Sequence, residues 1–159
     1  MKKTPPLELD ALDRKILVRY QGDTRLTAER IGAEVGLSTA AVHRRLKRLR
    51  DDGVIEAEIA VLDPDALDLP VTCVVAVDVD REGLGELERF GSRMRACPLV
   101  QQCFYVTGQS DFILVVVVAD MAAYEAFTRD HLLSDANVRS FTTHVVLQRV
   151  KTGLALPIG

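Results

Sequence analysis

The chain has 159 residues, 48% of them apolar, which is enough for one ordinary domain or two small ones with real cores. No apolar run reaches the roughly 18 residues of a membrane-spanning helix, and Lys2 and Lys3 precede no apolar segment. A cytoplasmic, soluble protein is therefore expected. The cysteines, Cys73, Cys97 and Cys103, lack paired or metal-binding spacing, so neither a disulfide framework nor a zinc site is predicted.

The net charge of −3 taken alone argues against a nucleic-acid-binding protein, but the charge is unevenly distributed. Residues 1–62 contain 12 Lys or Arg and 10 Asp or Glu, whereas residues 63–159 contain 8 and 13. The first part is thus positive and the second clearly negative. This asymmetry indicates a DNA-facing module joined to an acidic module with a different role.

Two helices are predicted at the start of the chain. Apolar residues recur at helical spacing over residues 9–20. A second helix over residues 27–35 has Thr27 as its amino-terminal cap, and Gly36 supplies the left-handed residue that ends it. Ser38 caps a third helix, the basic one.

The segment 38–53 combines an apolar stripe with a dense set of cations. Val42, Leu46 and Leu49 lie at helical spacing and predict the side that packs on a small core. Six of the eight positions from 43 to 50 can be cationic: His43, Arg44, Arg45, Lys47, Arg48 and Arg50. A helix, a glycine-containing turn and a basic helix form the helix-turn-helix pattern of DNA binding. The alternative is a solvated basic face, which the preceding helix and turn disfavour.

The residues after the basic helix predict a wing and a linker. Residues 54–63 alternate well enough to form one or two short strands. Segment 63–70, DPDALDLP, contains two prolines and three aspartates, which is typical of a linker. We therefore predict a winged helix-turn-helix domain over residues 1–62, the linker over 63–70 and a second domain over 71–159.

Six elements are predicted in the second domain, in the order strand, helix, strand, strand, helix, strand. They cover residues 72–79, 82–96, 100–106, 111–119, 121–132 and 138–147. This βαββαβ order is the ferredoxin-like split arrangement, so the fold class is α+β. The first of the two helices is predicted to direct four side chains inward: Leu84, Leu87, Phe90 and Met94.

The strand at 112–119, FILVVVVA, is apolar at every position, although an antiparallel strand with one solvated face should alternate. Both helices of this arrangement lie on one side of the sheet, so the other face needs a cover. A second subunit is the economical cover, and it would also pair the DNA-reading helices. The carboxy-terminal arm or the first domain is the alternative cover.

The residues predicted to contact DNA lie on the outer side and at the start of the basic helix, the part that enters the major groove. Hydroxyls at the positive helix end suit phosphates or base edges. Arg44 can pair bidentately with guanine, whereas Lys47 suits a phosphate. The predicted set is Ser38, Thr39, Ala40, His43, Arg44, Lys47 and Arg48. The later arginines, Arg45, Arg48 and Arg50, are expected to reach flanking phosphates or to pair with Asp51, Asp52 and Glu34.

Four segments carry a family resemblance: residues 9–17, residues 37–49 with 52–55, residues 106–111 (VTGQSD) and residues 150–157. In this order they resemble the first helix, the recognition helix and wing, the effector-domain turn and the ending of the Lrp/AsnC regulators. Glu56 and Asp68 stand where that family commonly has glycine. The resemblance implies a transcription regulator that binds double-stranded DNA, forms dimers and often octamers, and binds an amino-acid-type effector in its second domain.

The turn at 107–111 is the candidate effector site. A turn needs Gly108 for positive φ, and Asp111 can hydrogen-bond the turn's own amides, so no ligand is required to explain them. In the functional alternative, turn amides bind a ligand carboxylate and Asp111 binds its ammonium group. The predicted set, assigned partly by the resemblance, is Tyr105, Thr107, Gly108, Gln109, Asp111, Thr142 and His144.

No nucleophile and base pair, phosphate loop or carboxylate couple stands out, and His131 and His144 lack companion ligands, so no enzyme, cofactor or metal site is predicted. Sirohaem decarboxylases resemble this architecture, but they are expected to carry an HNYxR-like segment where this chain has CFYVTGQ. An architectural DNA-binding protein without an effector is another alternative. The leading prediction is a sequence-specific regulator that responds to an amino acid or a related small metabolite.

Overall fold

The structure, a computed structural model, describes residues 8–80 and 83–158. The described residues up to Val61 and from Lys151 onward form one compact unit, and Leu62–Val150 form another. Among these residues, no helix is long and apolar enough to span a membrane. The first seven residues of the predicted first domain, and the predicted helix start at Glu82, lie outside the described residues.

The three predicted helices of the first unit are confirmed: α1 Ala11–Tyr20, α2 Ala28–Val35 and α3 Thr39–Asp51. Each begins after a side chain that accepts a hydrogen bond from the backbone N–H three residues later, and these caps are Asp10, Thr27 and Ser38. Gly36 ends α2 with a left-handed φ of 76°. The apolar faces of the helices meet in one core made by Ile16, Tyr20, Ala28, Ile31, Val42 and Leu46.

Gly32 allows α2 to approach the turn that leads to α3. Its carbonyl oxygen accepts a hydrogen bond of 2.9 Å from the Leu37 N–H. A Cβ atom on Gly32 would lie 2.5 Å from the carbonyl oxygen of Leu37, closer than such atoms approach in real structures. The helix-turn-helix geometry therefore requires glycine here, a constraint that the sequence analysis did not identify.

The strands predicted for residues 54–63 are not formed, although the structure describes all ten residues. Ile59, Val61 and Leu62 are respectively 66%, 86% and 66% exposed. A strand needs a neighbouring strand for its backbone hydrogen bonds, and none pairs with this segment within the described residues. The prediction of strands in the wing is therefore wrong for the single chain.

The second unit confirms the predicted βαββαβ order. Its elements are β1 Val71–Val79, α4 Leu84–Ala96, β2 Val100–Tyr105, β3 Phe112–Val118, α5 Met121–Thr128 and β4 Val138–Val145. The strands pair antiparallel in the order β2-β3-β1-β4. A 3-10 turn, Asp65–Leu67, lies in the predicted linker, and α5 continues into a π-helical turn, Arg129–Leu133.

One face of the sheet forms the core of the second unit. Alternate residues of β1 and β3 are buried there with Phe90, Met94 and Phe127 from the two helices. Leu84 was predicted to face inward but is 82% exposed. At 3.6 residues per turn, its spacing of six residues from Phe90 turns it about 120° away from the core-facing direction.

The opposite face of the sheet is largely apolar in the central strands β1 and β3, and it is not covered by α4 or α5. Its side chains in β3 are only partly buried and alternate with fully buried ones, so the strand alternates in burial although it does not alternate in polarity. The apolar residues of this outer face are Val74, Ala76, Phe104, Ile113, Val115 and Val117. The strand register also places polar residues on it: Thr72, Asp78, Gln102, Ser140, Thr142 and His144. Within the second unit, this face has no covering helix layer.

The carboxy-terminal arm differs from its predicted assignment to the second domain. Residues from Lys151 group with the first unit. There the side-chain amide of Gln21 donates to the carbonyl oxygen of Leu156 at 3.0 Å and accepts from its N–H at 2.9 Å. The arm is therefore held by side-chain pairing to the backbone rather than by a sheet.

We expect Gly32→Ala to lower the free energy of unfolding of the first unit by about 1–3 kcal/mol, because the new methyl group must displace the backbone of the turn. Thermal unfolding followed by circular dichroism measures the change. Gly91→Ala in α4 is the control: its Cβ would meet nothing within 4 Å. Helix propensity then predicts a gain of about 0.5–1 kcal/mol. Equal stability of the Gly32→Ala and wild-type proteins would contradict the close approach.

Candidate DNA-binding surface and effector site

The surface of α3 that faces away from the core carries the predicted DNA-contact residues. Val42, Leu46 and Leu49 are buried, which fixes the inner side of the helix. The predicted contacts are all exposed: Ser38, Thr39, Ala40, His43, Arg44, Lys47 and Arg48. The helix therefore offers this set to a partner without any change in its packing.

Two arginines of α3 bind carboxylates at the start of α1. Arg45 lies 2.6 Å from a carboxylate oxygen of Asp10 and 2.7 Å from one of Asp13. Arg48 binds the other oxygen of Asp13, whose side chain is completely buried. Hydrogen bonds from Asp13 and Arg45 lower the pKa of Asp10. These pairs connect the amino end of α1 to the middle of α3.

Arg50 binds a different pair of groups, and together they attach the segment after α3 to α1. Its guanidinium donates to the Tyr20 hydroxyl at 2.8 Å and to the Glu58 carboxylate at 2.9 Å. The Tyr20 hydroxyl also donates to Glu58. The Arg50 guanidinium lies 5.6 Å from the centroid of the Tyr20 ring. Sequence reasoning treated Tyr20 only as part of an apolar face.

The ion-pair partners predicted for these arginines were wrong. Asp51 binds Lys47 instead, and Glu34 binds Arg19 and Arg30. The acids that the arginines do bind come from α1 and from residue 58, which the tertiary fold brings beside α3. Spacing along the chain could not reveal these partners.

We expect the stability supplied by this network to decline on both sides of neutral pH. The hydrogen bond from Arg50 lowers the pKa of Glu58 from its ordinary 4.5, so its contribution is present above that value and is lost as pH falls through the folded-state pKa. Burial, with the bond to Glu58, raises the pKa of Tyr20 from 10.0, so its contribution is lost as pH rises through the folded-state pKa.

Tyr20→Phe tests the alkaline side of this expectation. The variant keeps the ring beside Arg50 but removes the hydroxyl, and it should lose about 1 kcal/mol near neutral pH. Thermal unfolding measured across pH should also show a smaller alkaline decline than the wild type. An alkaline decline as steep as that of the wild type would contradict the assignment.

His43 and Arg44 form no ion pair with any residue that the structure describes, whereas Lys47 forms an exposed pair with Asp51. Arg44 also lines a surface cavity of about 350 Å³ together with Arg45 and Arg48. The guanidinium of Arg44 is thus available to an external acceptor.

The connection between β2 and β3 forms the second candidate site. Gly108 has a φ of 142°, which favours glycine. The Asp111 carboxylate accepts a hydrogen bond of 2.7 Å from the Val79 N–H through Oδ2. Its other oxygen, Oδ1, accepts none from the described residues. An open cavity of about 460 Å³ lies here, lined by Tyr105, Val106, Thr107, Gly108, Ser110 and Asp111.

The structure brings only part of the predicted effector set together. Tyr105, Thr107, Gly108 and Asp111 line the cavity, joined by Val106 and Ser110, which sequence reasoning missed. Gln109 is exposed in the turn and does not line the cavity. Tyr105 stands opposite Phe112 on the core face of the sheet, with ring centroids 5.3 Å apart.

Thr142 and His144 lie away from this cavity. They stand opposite Ala76 and Val74 in the register of β1 and β4, which places both on the outer face of the sheet. They are therefore on the other side of the sheet from Tyr105. Within one chain, the structure does not join them to the turn.

Two family models match this chain. The AsnC-type helix-turn-helix domain matches residues 9–50, and the Lrp/AsnC ligand-binding domain matches residues 72–156. The second match alone covers more than half of the chain. The chain belongs to the Lrp/AsnC family.

Relatives of this Lrp/AsnC protein agree over nearly its whole length. An HTH-type transcriptional regulator of Sinorhizobium fredii is 44% identical and covers 96% of this chain and 90% of its own. The leucine-responsive regulatory protein of Klebsiella pneumoniae is 33% identical, covering 99% of this chain and 96% of its own. A regulator of Neisseria meningitidis, solved as an L-Met complex, is 34% identical with a TM-score of 0.87, covering 94% of this chain and 97% of its own.

Membership decides between a regulator and an enzyme, two of the function classes that the sequence left open. The Lrp/AsnC family consists of DNA-binding transcription regulators with an amino-acid-binding domain, and its members are not enzymes. The helix-turn-helix unit and the antiparallel sheet unit described above correspond to those two domains. This Lrp/AsnC protein is therefore a DNA-binding transcription regulator.

Proposed function

We propose that this regulator reads a two-fold symmetric DNA site with a pair of α3 helices and that an α-amino acid bound at the turn of residues 106–111 adjusts this binding. The exposed cation surface of α3, with Arg44 free of ion pairs among the described residues, carries the proposal. Because its partner is chromosomal DNA, we place the protein in the cytoplasm.

On DNA, the start of α3 enters the major groove. Ser38 and Thr39 at the helix amino terminus face phosphates or base edges. Arg44 reads guanine, because its planar guanidinium matches the two acceptors of that base. Lys47 serves as a phosphate contact, which requires only that it leave its exposed pair with Asp51.

The outer face of the sheet is the proposed dimer interface. Its centre, in β1 and β3, is largely apolar, and α4 and α5 leave it uncovered. Large exposed apolar surfaces are uncommon in monomeric proteins. A second copy laying its own sheet here would bury both faces and pair the two α3 helices by symmetry. Thr142 and His144 would then lie at this interface rather than in the cavity beside their own turn. The octamers that the resemblance implied would assemble from such dimers.

At the proposed effector site, the turn offers a partner for each of the two charged groups of an amino acid. Backbone N–H groups around Gly108 can bind the carboxylate, and Oδ1 of Asp111 can bind the ammonium group while Oδ2 stays on Val79. The L-Met complex of the Neisseria relative supports an amino acid as the ligand class. For the ligand to regulate, it must bind one conformation or assembly more tightly than another.

A thermal-shift screen of the purified full-length protein against the twenty standard amino acids, starting with L-Met, tests this proposal. A ligand at about 100 times its Kd would stabilise the folded protein by about 2.7 kcal/mol. Asp111→Asn keeps an acceptor for the Val79 N–H but removes the charge, so we expect it to lose at least about tenfold in ligand affinity.

Gln109→Ala is the matched control, because Gln109 belongs to the same turn but does not line the cavity. It should bind as tightly as the wild type. Equal ligand affinity in Asp111→Asn would refute the assignment of Asp111. If no amino acid shifted the wild type, the architectural role without an effector would be favoured instead.

A further inference from the structure

Asp13 is a completely buried carboxylate in the first turn of α1. Burying an ionised carboxylate is costly unless its oxygens are paired. Here both oxygens have partners: Oδ1 accepts from Arg45 at 2.7 Å, and Oδ2 accepts from Arg48 and from the Asp10 N–H at 3.2 Å. Asp13 thus holds two side chains of α3 from outside that helix.

The two arginines have different roles in this cluster. The Arg45 side chain is 20% exposed, and its Nη1 binds both Asp10 and Asp13. The Arg48 side chain is 43% exposed and binds Asp13 through Nη2 alone. Its remaining N–H donors bind no described residue. Arg45 therefore connects α3 to the start of α1, and Arg48 is the arginine of the two that can reach an external acceptor.

Arg48 lies one helical turn after Arg44, and with Arg45 both line the cavity of about 350 Å³ on the surface of α3. A planar guanidinium can donate two parallel hydrogen bonds to two oxygens of one phosphate. A cavity lined by guanidinium groups therefore suits a single phosphate. The carboxylates of Asp10 and Asp13 balance the charges of Arg45 and Arg48. A phosphate bound by Arg48 therefore gains from the fixed orientation of that guanidinium, while the guanidinium of Arg44 stays free to read a base.

We infer that Asp13 is a positioning residue for DNA binding: it fixes the Arg48 guanidinium so that Arg48 holds one backbone phosphate of the duplex beside the base that Arg44 reads. This inference rests on the proposed reading of DNA by α3. It adds a role for a residue of α1 that is buried and does not itself touch DNA. Without Asp13, the Arg48 side chain would have to be ordered when DNA binds, which weakens binding.

A comparison of Asp13→Asn with Asp10→Asn tests the inference. Each substitution removes one negative charge from the same cluster, and asparagine at position 10 remains a good helix cap. Charge alone predicts that both variants bind DNA more tightly. If Asp13 positions the Arg48 guanidinium, Asp13→Asn should bind DNA at least about fivefold more weakly than the wild type. Asp10→Asn should bind DNA as tightly as the wild type or more tightly. Fluorescence anisotropy with the full-length protein and a duplex that the wild type binds gives both affinities.

The same comparison in an Arg48→Ala background separates positioning from a general loss of structure. If Asp13 acts through Arg48, Asp13→Asn changes DNA affinity by less than about twofold in that background. A loss as large as in the wild-type background would overturn the inference, as would tighter binding by the single Asp13→Asn variant.

A second variant keeps the test decisive if Asp13→Asn unfolds. Arg48→Lys retains the charge but not the planar fork, so we expect it to weaken DNA binding by about fivefold, and unchanged affinity would count against the fixed guanidinium. Failure of the wild type to bind any duplex would instead refute the proposed function, so the two failures are distinguishable.

Discussion

Val115→Asp is expected to convert the proposed dimer to a monomer. Val115 belongs to β3, a central strand of the sheet, and stands opposite Val74 of β1 on the outer face. In a sheet-to-sheet interface, a carboxylate at this position would be buried without a partner, at a cost of several kcal/mol. Native mass spectrometry or light scattering after size exclusion measures the mass.

Loss of the proposed dimer should lower the affinity for DNA. Two linked α3 helices bind two half-sites with an effective concentration that a single helix lacks, so we expect at least about a tenfold loss of affinity in Val115→Asp. Leu133→Asp is the matched control, since Leu133 is 70% exposed and follows α5 rather than lying on the outer face. It should remain dimeric. A dimeric Val115→Asp protein, or a monomeric wild type, would contradict the proposed interface.

Arg44→Ala is expected to weaken binding to the preferred DNA sequence by about 10- to 100-fold per half-site and to relax the choice of base at one position. Of the α3 arginines that the structure describes, Arg44 alone is exposed and forms no ion pair. Competition between the preferred duplex and a scrambled one, measured by anisotropy, gives the loss of specificity.

Lys47→Ala separates a phosphate contact from base reading. It should weaken binding to both duplexes alike and lower the salt-dependence slope by about one. If Arg44→Ala left the affinity for the preferred sequence and the salt slope unchanged, the role of α3 as the recognition helix would be contradicted.

Local sequence patterns were sufficient for the three helices of the first unit. The caps Asp10, Thr27 and Ser38 act within three residues, and Gly36 ends α2 by its own conformation. By contrast, the residues from 54 to 63 alternate like a strand but form none in the chain, because a strand is completed only by a partner. Alternation alone does not supply that partner.

Tertiary contacts account for what the sequence could not show at the candidate DNA-binding surface. Asp13 and Glu58 bind arginines of α3 from outside that helix, so no spacing within the basic segment reveals them. Gly32 is required by the carbonyl of Leu37, a contact made only when the turn closes. Asp13 accepts a hydrogen bond from the backbone N–H of the cap Asp10, and this local role gives no sequence signal of a second one.

The effector set shows how strand register limits prediction. The turn could be predicted because its glycine and aspartate act locally, whereas Thr142 and His144 were assigned by resemblance and by neighbouring strands. A shift of one residue moves a side chain to the other face of a sheet, and the register of β1 with β4 shifts between Asp78 and Val79. The two residues consequently lie on the outer face.

Selection of bound sequences from a pool of random duplexes by the full-length protein tests whether paired α3 helices read a specific base sequence. We expect enrichment of a two-fold symmetric sequence whose half-sites lie one or more helical turns apart, with one base preference lost in Arg44→Ala. Binding of the pool without enrichment of any sequence would contradict it.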